Sequence, residues 1–127
     1  KTNLSLYSQR TYMADKNRQE LLGKKFLLKD LIQYQEGSIA SRMIITQKSG
    51  SITLFSFDLD EGLSDHTAPF DAVVTVLEGE CEVTVDGVPS RLTQGETIIF
   101  PAHIPHAVKA ISRFKMVLTM IRESSED

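Results

Sequence analysis

From Ile39 onward, apolar and polar residues follow a strand rhythm. In Glu80–Val85, Cys81, Val83 and Val85 alternate with Glu80, Glu82 and Thr84. A period of two over such a run predicts a half-buried β-strand. Ile39–Thr46 and Ser51–Leu59 read as two more strands. In the second, Ile52, Leu54 and Ser56 point one way, and Thr53, Phe55, Phe57 and Leu59 the other. Asp71–Leu77 is nearly all apolar, as expected of a strand covered on both faces. Thr97–Phe100, Ala107–Ile111 and Phe114–Ile121 complete the apolar strands, with a short one at Arg91-Leu92. Phe26–Ile32 fits either a strand or a short helix, because so few residues do not settle the period. Arg18–Leu22 before Gly23 fits one helical turn, with the glycine as its stop.

The breaks between the runs carry turn chemistry. Lys48-Ser-Gly50, Asp60-Glu-Gly62, Glu78-Gly79-Glu80 and Gln94-Gly95 each supply a glycine, and Pro101 ends the Thr97–Phe100 run. Asp86-Gly87 is a strong hairpin signal, since a type I′ turn needs positive φ at both central residues. Short strands punctuated by glycine turns predict an all-β sandwich or barrel. No repeat, low-complexity tract or linker divides the chain. Residues 18–127 are therefore expected to form one domain. Residues 1–17 are expected to be an arm, partly non-native because the chain opens on Lys1 rather than methionine. Ser124–Asp127 reads as a frayed acidic tail.

Composition narrows the function classes. The chain has 127 residues and 41% hydrophobic content, enough for a core without staples. Its net charge of −3 gives no basic face for nucleic acid. No apolar run is long enough to span a membrane, and Lys1–Asp15 lacks the apolar stretch of a signal peptide. One cysteine, Cys81, cannot pair within the chain; a cytoplasmic location fits best. Cys81 also falls on the apolar alternation, which makes it core filling rather than a nucleophile.

The candidate chemistry lies in two histidines, His66 and His106, about 40 residues apart at the ends of the strand-rich stretch. With the glycines around them they resemble the two motifs of the cupin superfamily over roughly Gly62 to Ala110. In the first motif a Gly is followed by His-x-His, then Glu or Gln three or four residues later, then a Gly after six more residues. Gly79 matches the last Gly, which sets His66 on the first histidine, Ala68 on the second and Ala72 on the Glu or Gln. In the second motif, Gly95, Pro101 and His106 match in order and spacing, while His103 replaces a Gly and Ala110 an Asn. The resemblance implies a cupin, or double-stranded β-helix, barrel of the jelly-roll type.

That resemblance also implies a metal site, but here only two of its ligand positions keep a donor. His66 and His106 are the expected ligands for a divalent transition metal (Zn, Ni, Fe or Mn) if one is bound. His103 and Asp71 are the candidates for a third. Asp71 would need a one-residue slip or a bulge to turn inward. Positions 66, 68 and 72 share one strand parity, so they are expected to face the barrel interior together. Phe57, Phe70, Phe100 and Met116 are the expected pocket lining. Two functions follow: a barrel that binds a small molecule with a degenerate or absent metal site, or a metal-dependent enzyme of dioxygenase or isomerase type. The loss of donors at Ala68 and Ala72 favours the first. A homodimer is also expected, because the second faces of Phe55–Leu59 and Val73–Leu77 need cover.

Overall fold

The computed structural model describes residues 19–123. The arm expected over residues 1–17 and the tail at 124–127 lie outside them. Residues 19–21 are helical, and Gly23 follows at φ 71°, the left-handed stop expected after such a turn. The ambiguous Phe26–Ile32 stretch resolves as a 3₁₀ turn over Leu28–Leu31. Nine strands follow: β1 Ile39–Gln47, β2 Gly50–Phe57, β3 Gly62–His66, β4 Asp71–Glu78, β5 Glu80–Val85, β6 Val88–Thr93, β7 Thr97–Phe100, β8 His106–Ala110 and β9 Phe114–Ile121. The strand over Gly62–His66 is absent from the sequence reading. It has one half-buried residue, Leu63, and four exposed ones, so no alternation announces it.

Two antiparallel sheets face each other, one ordered β1-β2-β9-β4-β7 and the other β3-β8-β5-β6. This is the all-β jelly-roll barrel expected. Asp86 at φ 51° and Gly87 at φ 80° turn β5 into β6 as a type I′ hairpin requires. The core lies between the sheets. Phe57, Val74, Val76, Phe114 and Met116 enter from the first sheet, and Cys81, Val83, Leu92, Val108 and Ala110 from the second. Phe57 and Phe114 are adjacent across the β2–β9 ladder and stack at 4.5 Å between ring centroids. Burial pushes the Cys81 thiol up to about 12, so it stays protonated and inert, in keeping with core filling.

The outer face of the five-stranded sheet carries a second apolar cluster built on Ile32, Ile44 and Leu54. The chain covers it with its own N-terminal segment, through Leu21, Leu28 and Leu31. Polar contacts pin that segment in place. Arg42 donates to the Leu31 carbonyl at 3.0 Å, Ser56 to that of Gln33 at 2.9 Å, and buried Lys115 to that of Lys29 at 2.6 Å. The Tyr34 hydroxyl donates to Glu78 at 2.5 Å; burial and that carboxylate raise its pKa. Much of the cover that the apolar faces of β2 and β4 require is thus internal to the chain.

Candidate functional site

At the end of the barrel away from the Phe57–Phe114 stack, the two sheets part around a cavity of about 140 Å³. β3 and β8 pair so that His66 lies directly opposite His106. Their rings meet edge to face at 4.3 Å. Phe100, at the end of β7, stacks on His106 at 4.2 Å and 15°. Phe70, Ala68, Ala72 and Met116 also line the cavity. Phe55, Leu63, Val108, Leu118 and Met120 complete it. Leu118 and Met120 follow Met116 at every second position of β9, so strand parity alone identifies them. Phe57 lies outside the lining. It sits one inward step further along β2 from Phe55, in the packed core against Phe114.

His66, Ala68 and Ala72 all border the cavity, though not for the reason of shared parity. β3 ends at His66 and β4 begins at Asp71. The intervening residues carry the chain from the four-stranded sheet to the five-stranded one, across the barrel mouth. The crossing, not one continuous strand, places the three positions around one space. Two contacts hold it against the loop before β8. The His103 amide donates to the Ala68 carbonyl at 2.7 Å, and the Ala102 amide to the Asp71 carboxylate at 2.8 Å.

These contacts also place the two candidates for a third ligand. Asp71 pairs with Ile121 in the β4–β9 ladder without a slip, so its side chain points away from the face that carries Ala72. It is exposed and bonded to the rim. His103 is exposed in the loop at φ 66°. That left-handed conformation favours glycine, which accounts for the Gly of the second motif at this position. Neither residue is part of the cavity lining. Among the described residues, no group of three or more His, Cys, Asp or Glu side chains is placed to hold a metal ion.

The histidine tautomers follow from the backbone. Nδ1 of His66 lies 2.7 Å from the Ser64 carbonyl, and Nδ1 of His106 lies 3.2 Å from that of Ile104. A carbonyl only accepts, so each Nδ1 carries the hydrogen. In the neutral rings, each Nε2 is then a lone pair available to an incoming group. His106 is only 6% exposed. Burial lowers its pKa, opposed by the Ile104 carbonyl; the neighbouring His66 lowers it further and Asp65 raises it. His66 stands exposed at the mouth. The site is thus an apolar chamber with a two-imidazole edge.

Comparison with known proteins agrees with this fold. The cupin domain family matches residues 54–122. A conserved Streptococcus pyogenes protein of unknown function is 33% identical, with a TM-score of 0.77 over 81% of this chain and 90% of that one. A cupin 2 conserved barrel domain protein from Leptotrichia buccalis is 42% identical, with a TM-score of 0.74 over 76% of this chain and 47% of the other. A cupin superfamily protein from Desulfitobacterium hafniense is 28% identical, with a TM-score of 0.76 over 80% and 93% of the two chains. No curated protein matches the chain. No helix among the described residues is long and apolar enough to cross a membrane. With its matched strands, its glycine turns and its facing motif histidines, the chain belongs to the cupin family.

Proposed function

We propose that this protein binds a small apolar molecule in the barrel mouth and does so without a resident metal. The observation that carries the reading is the lining: among the described residues His66 and His106 are its only ionisable members, set among alanine, phenylalanine, leucine, valine and methionine. Ligand pockets combine an apolar wall with a few placed polar groups. The donor set does not fit a protein-held metal. Catalytic zinc sites take three protein ligands, and here Ala68 and Ala72 stand where two further donors belong. What those alanines remove as ligands they add as space.

The metal-dependent enzyme is the competing reading, with His66 and His106 as ligands and water completing the shell. Elemental analysis after incubation with Zn, Ni, Fe and Mn separates the two. The proposal expects well under one metal per chain after dialysis. Near one metal per chain, lost in both His66→Ala and His106→Ala, would overturn it.

A homodimer remains our proposal for the part of the five-stranded sheet that is open among the described residues. Ile99 is 57% and Ile121 61% exposed there. A dimer mass by light scattering at micromolar concentration is expected, and a monomer mass would contradict it.

A further inference from the structure

Resting on that reading, we infer the chemical class of the ligand: a neutral aromatic alcohol of the phenol class, its ring in the apolar lining and its hydroxyl donating to Nε2 of His106. Both histidines spend Nδ1–H on backbone carbonyls, of Ser64 and of Ile104. In its neutral form each ring then offers the cavity an acceptor and no donor. Among the described residues no buried side-chain nitrogen or oxygen is left without a partner. The Nε2 of His106, which bonds no described residue, therefore keeps some accessible surface rather than being sealed in the core, and His106 lines the cavity. His66, exposed at the mouth, has water for its own Nε2. The inner nitrogen is where a ligand hydroxyl gains most, because an unmade bond costs more where water is scarce.

Shape and charge point the same way. The cavity of about 140 Å³ is close to the roughly 150 Å³ of an apolar protein cavity that accepts benzene. Phe55, Phe70, Met116 and Met120 give it faces and thioethers suited to a flat ring. An anionic ligand finds no donor in the lining. Asp65 stands beside His66, and Asp71 holds the rim. Arg122 sits over the Phe70 ring but outside the lining, donating to the Gln47 carbonyl.

Three ligands that share a methylphenyl body test this by calorimetry at pH 8 on protein freed of metal with a chelator: toluene, 4-methylphenol and 4-methylbenzoate. The expected result is that 4-methylphenol binds about tenfold tighter than toluene, the worth of one hydrogen bond, and that 4-methylbenzoate shows no binding. In His106→Phe the advantage of 4-methylphenol over toluene should vanish while toluene still binds. Equal affinity for toluene and 4-methylphenol, or benzoate binding as tight as the phenol, would overturn the inference and leave the apolar pocket standing. No binding by any of the three would overturn both.

Discussion

The two ends of the barrel are built from the same strands and behave as opposites. At one end Phe57 and Phe114 are 0% exposed, stacked, and closed in by Val74, Val76, Cys81 and Val83. At the other, one to three inward steps along β2, β4 and β9, the lining is as apolar but does not meet in the middle. Two small residues make the difference. Ala68 and Ala72 stand where larger side chains would reach across, and the two histidines that share the lining are held by the backbone carbonyls of Ser64 and Ile104. One end is spent on stability, and the other keeps a space.

The largest break in that comparison is Phe114→Ala. It removes half of the stack at the closed end and should cost about 3–5 kcal/mol, read from denaturant unfolding. A loss below about 1 kcal/mol would mean that this end is not the main support of the fold. Gly79→Ala comes next. Gly79 sits at φ 80°, and a Cβ there would overlap the Arg113 carbonyl and crowd Phe114. The strain predicts a loss of about 2–3 kcal/mol, with the mouth cavity unchanged in its ligand response.

The sequence revealed these two ends unequally. The closed end was legible because strand alternation and glycine turns depend on local chemistry. β5, β7 and β9 run over the same residues as their hydrophobic patterns. The mouth was legible only in part. His66 and His106 were identifiable as partners through motif spacing, but the path between them was not. β3 is exposed along nearly its whole length and gives no period, so nothing in the pattern marks where the strand ends at His66 and the loop to Asp71 begins. Phe57 and Phe55 differ by one inward step, and which of them meets the cavity depends on strand stagger, a tertiary quantity. The cover over Leu54 was hidden for a related reason: it is a 3₁₀ turn held by side chain to backbone bonds, which leave no periodic trace.

At the rim the effects are smaller. His103→Gly should stabilise the protein by up to about 1 kcal/mol, because it relieves a left-handed non-glycine residue, with part of the gain offset by unfolded-chain entropy. Ligand response should not change. A loss of metal or ligand binding in this variant would show that His103 reaches the site after all. The smallest effect is in pH. The folded His106 has its pKa lowered below the usual value of 6.5, so the unfolded chain binds more protons as the pH falls through that value. The contribution is present above about pH 6.5 and is lost as the pH falls through the lower folded pKa. Unfolding midpoints between pH 8 and pH 5 should show a decline that is shallower in His106→Gln than in the wild type. A wild-type profile that improves toward pH 5 would contradict the assignment of a buried neutral ring.

The central claim is that the mouth holds a ligand-sized apolar space, and methionine methyl resonances report on it directly. Met116 and Met120 line the cavity, while Met43 is exposed on β1 outside it. Titrating toluene into metal-free protein labelled at the methionine methyls should shift Met116 and Met120 in a saturable way and leave Met43 unmoved. Unchanged Met116 and Met120 resonances, or shifts of equal size at Met43, would contradict the account.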